Sequence, residues 1–249
     1  MALSRSRPLV VAMLAAAPVL VAGPATADAG EPRAYQAVLR PLNGQRASGS
    51  VTLELDGRTA TVVESYSGLA GRIDGRPYPH LQHIRGGARG ECPAPSADTD
   101  GDGVVSATEG EPAYGPIRTT LSVRGETTPA AGTDLEIAPR GAGLDYQRVI
   151  DLDDATLEAL RDGTAVVVVH GLDPSRISEK ARGAAGDLVP SLPLSTTAPA
   201  LCGVLEPMAA GGAATGAGPA TGAGPRALGA GLLALAGLAL AVAARRRTP

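Results

Sequence analysis

Apolar and polar residues alternate at period two through Tyr35–Leu39 (YQAVL), Ser50–Leu55 (SVTLEL), Thr59–Glu64 (TATVVE) and Ile117–Val123 (IRTTLSV). Each run is bounded by Gly, Asn or Asp, so each predicts a strand with one face on a core and one in solvent. Asp56-Gly57 joins two of them and tolerates the positive φ of a tight hairpin turn. Asp134–Ile137 and Tyr146–Leu152 predict further strands. Asp154–Arg161 (DATLEALR) predicts a short helix with Asp153 or Asp154 at its N-cap and Gly163 after its end. The unbroken β-branched run Thr164–Val169 predicts a central strand buried on both faces. Pro174–Pro199 is polar and proline-containing, a predicted surface excursion before Ala200–Leu205 returns to the core. The pattern predicts an all-β fold, an antiparallel immunoglobulin-like β-sandwich with small helical insertions.

The ends follow other patterns. Residues 1–27 place Arg5 and Arg7 before the apolar run Leu9–Ala22 and the small-residue site Ala25-Thr26-Ala27, the layout of a secretion signal cleaved after Ala27. Residues 227–244 carry no charge and precede Arg245-Arg246-Arg247. At about 1.5 Å per residue they reach roughly 27 Å, enough for a membrane helix. The basic tail at 245–249 would stay on the cytoplasmic side. Between the domain (28–206) and this span, residues 207–226 are rich in Gly, Ala and Pro and predict a flexible stalk. The stalk resembles the wall-spanning segments of Gram-positive surface proteins. Within it, Pro219-Ala220-Thr221-Gly222 resembles the Leu-Pro-x-Thr-Gly sorting signal, with Gly218 in the place of the Leu. A retained membrane anchor is the reading preferred to sortase cleavage. The expected location is therefore the cell surface, with the domain outside and an extracellular ligand as its partner.

Charge and composition narrow the chemistry. Six arginines lie in the end segments, which leaves 16 of the 22 basic residues against all 25 acidic ones in 28–225, a formal charge of −9. Such a surface excludes nucleic acid as a partner. Phe and Trp are absent and Tyr numbers five, so aromatic stacking platforms are excluded as well. Cys92 and Cys202 fall in the exported part, where they can form one bridge; two free thiols or a metal pair are the alternatives. Gly-x-Ser-x-Gly, P-loop and dinucleotide-binding patterns do not occur.

The most specific motif runs from Asp98 to Glu109 (DTDGDGVVSATE). Asp98, Asp100, Asp102, Ser106 and Glu109 stand at loop positions one, three, five, nine and twelve. Gly103 stands at six, and Val104 at seven would offer its carbonyl. Hard Ca²⁺ takes six to eight oxygens in this spacing, which resembles an EF-hand loop. Pro93 and Pro95 before it and Pro112 after it predict that neither flanking helix forms fully, so the expected role of calcium is structural. A second candidate set gathers all three histidines: His80 and His83 in HLQHIRG, and His170 in VVVHG. Three imidazoles could hold copper or zinc.

The order of the His-containing segment, Cys92-Pro93, the acidic loop, Glu109–Gly115 and Val167–Gly171 resembles the chordin-type CHRD domain of secreted bacterial proteins. The resemblance spans Ala34–Leu205 and implies an immunoglobulin-like β structure without an assigned activity. The usual His-Ile-His triplet of that family has Arg85 at its last place here. Two functions follow as expectations. The first is a non-enzymatic surface module for binding or adhesion, stabilised by calcium and a disulfide. The alternative is a copper/zinc redox protein, similar in outline to superoxide dismutases, using His80, His83 and His170.

Overall fold

The computed structural model describes residues 34–208. The predicted signal at 1–27, nearly all of the stalk, the 227–244 span and the basic tail lie outside them. Among the described residues no helix is long and apolar enough to cross a membrane.

The described chain is mostly β. Its strands are β1 (Ala34–Pro41), β2 (Ser48–Asp56), β3 (Thr59–Ser67), β4 (Arg72–Ile73), β5 (Arg76–Pro77), β6 (Gln82–Arg85), β7 (Ile117–Thr120), β8 (Gly143–Asp151), β9 (Val166–His170), β10 (Pro199–Val204) and β11 (Glu206–Pro207). Four helices, α1 (Ala107–Tyr114), α2 (Asp154–Arg161), α3 (Glu179–Arg182) and α4 (Leu194–Thr197), lie between them. One antiparallel sheet has the order β7-β6-β9-β10-β1-β2-β3-β8, with β11 beside β1, while β4 and β5 form a separate ribbon.

β1 carries the sheet from one half to the other. Ala34–Leu39 pair with β2, and Arg40 and Pro41 pair with Cys202 and Leu201 of β10. The sheet curls at this point, so that Leu53 and Val62 from one half and Ile84, Val167, Val169 and Leu201 from the other share one core. The period-two pattern explains which side chains enter it. In β3, Ala60, Val62, Glu64 and Tyr66 are buried while alternate residues face outward. The hairpin registers Asp56 opposite Thr59, with Gly57 at φ 63° in the turn. β9 lies between β6 and β10 and is buried at every residue, which is why its sequence is not amphipathic.

Several expectations change. The strand at 117 ends at Thr120, and 134–137 is turn backbone without a ladder, shaped by Asp134 Oδ1 accepting from Glu136 N at 2.8 Å. The segment after Pro174 is not wholly a surface excursion, because Ser195, Thr196 and Thr197 of α4 are buried. The helix after the acidic loop does form, as α1, despite Pro112. Ser106 and Glu109 close a capping box at its start, which satisfies the end amides reciprocally.

Candidate functional site

Two places hold the candidate chemistry. The Cys92–Cys202 disulfide is formed, with Cα atoms 5.8 Å apart, and among the described residues no cysteine is free. It ties the segment leading into the acidic loop to β10, whose Cys202 packs with Val166, Val168 and Tyr114.

In the acidic loop, Asp98, Asp100 and Asp102 each offer a carboxylate oxygen, all within 4.8 Å of one another. Asp98 Oδ1 accepts from Gly101 N at 2.8 Å and its Oδ2 from Gly103 N at 2.9 Å. Asp100 accepts from Asp102 N and Asp102 from Val104 N, each at 2.8 Å. Gly103 has φ 87°, the left-handed conformation that the sixth position of such a loop needs. Burial, aided by the neighbouring Asp100, Asp98 and Glu109, pushes the Asp102 carboxyl up, against the pull of Val104 N. A cation in the loop would relieve that repulsion.

Glu109 is not one of the three gathered carboxylates and has donors of its own. Its Oε1 accepts from Thr99 N and Oγ1, both at 2.7 Å, and its Oε2 from Ser106 N at 2.9 Å. Burial opposes its ionisation, but these donors outweigh it and hold the carboxyl at about 2. Ser106 Oγ meanwhile caps α1, 3.3 Å from Glu109 N. Of the predicted calcium positions, the fold thus gathers the carboxylates of Asp98, Asp100 and Asp102, while Ser106 caps the helix and Glu109 bonds both the helix start and Thr99 of the loop.

Tertiary structure adds Asp187, which no local motif indicated. It bonds Thr108 N and Oγ1 and lines a recess of ≈ 280 Å³ together with Asp100, Asp102, Ser106 and Glu109. Two donors from the same region dock the loop: Ser178 Oγ reaches Asp102 O at 2.5 Å, and Lys180 Nζ reaches Asp100 O at 2.7 Å.

The second place is the face of β6 and β9 turned away from the main core. His83 lies opposite Val168 and Arg85 opposite Val166, so both share a face with His170. The His83 and His170 rings are 5.1 Å apart and fully buried. His83 Nε2 donates to Gly132 O at 2.8 Å, and His170 Nδ1 donates to Thr197 O at 2.6 Å. Because a carbonyl only accepts, each bond fixes its ring's tautomer. His83 Nδ1 and His170 Nε2 are left as buried acceptors without a hydrogen-bond partner. Burial, helped by the Arg85 charge, lowers His83 to about 3. Burial, with His83 and Arg85, puts His170 well below its ordinary value.

His80 lies elsewhere. It precedes β6, and its ring meets His170 O at 2.9 Å through Nδ1 and Ala70 O at 3.0 Å through Nε2. Both nitrogens face carbonyls, and the neutral ring can donate to only one of them; among the described residues the three histidines do not form a metal-sized cluster. Redox copper and zinc sites take three or more protein ligands. The expected three-histidine set does not fit one: His83 and His170 come together with one lone pair each, His80 is turned away, and Arg85 brings a buried positive charge.

No protein-family model matches the chain, and no curated protein does. Among solved structures, a point mutant of superoxide dismutase 5 from Candida albicans is similar at 14% identity and a TM-score of 0.40, over 74% of this chain and 96% of that one. The copper(II) form of the same enzyme is similar at 15% identity and a TM-score of 0.37, over 74% and 97%.

Proposed function

We propose that this chain is a non-enzymatic extracellular β-domain, displayed at the cell surface for binding or adhesion, and stabilised by calcium in the Asp98–Glu109 loop and by the Cys92–Cys202 bridge. The observation that carries the calcium assignment is the convergence of the Asp98, Asp100 and Asp102 carboxylates in a loop with glycine at its sixth position. The same reading takes the curled sheet as an immunoglobulin-like sandwich, a CHRD-type domain, and residues 207–249 as its stalk and anchor. Calcium would couple the loop to Ser178 and Lys180, and so fix the segment that follows β9. Binding to the folded form at a hundredfold excess over Kd stabilises by about 2.7 kcal/mol, a rise of roughly 5–10 °C for a chain of this size. Thermal melts of the purified full chain in calcium and in chelator test this. Equal melting temperatures in both would overturn the calcium assignment, and Asp98→Ala should remove the difference.

A copper- or zinc-binding redox protein of superoxide-dismutase type is the second reading. What favours it is the pair of buried imidazoles whose N–H groups are tied to carbonyls, as in histidines that ligate metals through the other nitrogen. It requires ligands beyond His83 and His170. Copper or zinc at about one per purified chain, lost in His83→Gln or His170→Gln, would install this reading in place of the first.

A further inference from the structure

The histidine layer contains four buried polar atoms without partners in one neighbourhood: His83 Nδ1, His170 Nε2, Arg85 Nε and Arg85 Nη2. Their types are complementary. The two imidazole nitrogens are acceptors, because the opposite nitrogens are committed as donors. The two guanidinium nitrogens are donors only. Leaving each unsatisfied costs about 1–3 kcal/mol, and a native interior rarely carries four such atoms together.

Arg85 is fixed in this layer. It is 1% exposed, its Nη1 donates to Gly115 O at 3.2 Å, and its Cζ lies 4.6 Å over the Tyr114 ring. The geometry leads us to infer that Arg85 is the resident cation of this layer. A trapped neutral hydroxylic molecule, water in the simplest case, accepts from Arg85 Nε and Nη2 and donates to His83 Nδ1 and His170 Nε2. Four hydrogen bonds of this kind are within the ordinary capacity of a buried water.

A divalent metal satisfies only the two imidazoles. It leaves the guanidinium donors orphaned and places two positive centres side by side at low dielectric. The layer as built therefore takes neither Cu²⁺ nor Zn²⁺. This inference rests on the first functional reading only in treating the layer as non-catalytic, and its test does not involve calcium.

The experiment is a high-resolution crystal structure of the full chain grown with excess Cu²⁺ and Zn²⁺, with anomalous scattering measured at both metal edges. A light-atom peak within hydrogen-bonding distance of His83 Nδ1, His170 Nε2 and Arg85, without anomalous signal there, is expected. An anomalous peak bridging His83 and His170 in the wild type overturns the inference. The companion variant is Arg85→His, which removes the charge and supplies a third imidazole on the same strand face. Its copper content should rise from essentially none to about one ion per chain, and the further change His83→Gln should abolish the gain. A folded Arg85→His that binds no copper also overturns the inference. If that variant does not fold, the wild-type scattering decides alone. A failed calcium melt with a clean light-atom peak would sink the calcium reading and leave this inference standing.

Discussion

Glu64 shows how much one side chain can set. Period two on β3 directs it inward between Val62 and Tyr66, opposite Tyr146, and both carboxyl oxygens are buried without partners. Burial raises its pKa from 4.5 to about 8, so the folded protein holds a proton there at neutral pH. The unfolded chain loses that proton near 4.5, so this residue's contribution to stability falls as pH rises from about 4.5 to about 8. Glu64→Gln keeps the shape and cannot ionise. Urea melts between pH 6.5 and 9 should show the wild type weakening by on the order of a few kcal/mol while Glu64→Gln stays level. Parallel curves would mean that the carboxylate has a partner. Gly171 is a second such residue. At φ 106°, a Cβ there would lie 2.5 Å from His80 Nδ1, so Gly171→Ala should cost about 1–3 kcal/mol in denaturant melts through strain and displacement of His80. The alternation placed Glu64 on the buried face, but its missing partners and the His80–Gly171 contact are visible only in three dimensions.

At the scale of the element, α1 is where a local rule and a local exception compete. Pro112 predicts that the helix after the loop does not form fully, yet Ser106 and Glu109 cap its first turn, and Asp187 takes up Thr108 N. The capping pair stands in the sequence at the right spacing, but the same two residues also fit positions nine and twelve of a calcium loop. Ser106→Ala should cost about 1 kcal/mol, read as a lower midpoint in a urea melt. An unchanged midpoint would mean that the cap is dispensable. Helix α2 spans the predicted residues because Asp153 caps it, its Oδ1 accepting from Thr156 N at 2.8 Å. The 134–137 segment does not form a strand: Ile137 O accepts from Val123 N at 2.9 Å, but a single bond of this kind does not make a ladder. Period two also placed His83 and Arg85 on one face of β6. It could not say that His170 would join them, since that depends on β6 and β9 being neighbours.

For the molecule as a whole, the Cys92–Cys202 bridge closes a loop across 110 residues of sequence. Replacing both cysteines, as Cys92→Ser with Cys202→Ala, removes a constraint on the unfolded chain of about 4–5 kcal/mol. A variant melting with the wild type would show that the sheet does not need it. The buried ionisable groups together set a pH optimum. His83 and His170 are held neutral when folded and protonate near 6.5 when unfolded, so their contribution is present above 6.5 and is lost as pH falls below it, for His83 down to about 3. Glu64 acts in the opposite sense, and two histidines outweigh one carboxyl between 4.5 and 6.5. Stability should therefore peak near pH 6.5.

The sequence by itself determined the β character, the main hairpin, the inward-facing residues, the available cysteine pair and the aspartate spacing, because strand period, turn chemistry and loop ligands are local properties of the chain. Tertiary structure alone decided that β1 joins the two halves of the sheet and that Asp187 reaches the acidic loop. It also decided that His80 turns to carbonyls while Arg85 sits beside His83 and His170. These arrangements depend on which strands become neighbours and which carbonyls a buried ring must satisfy, and both are settled when the core closes.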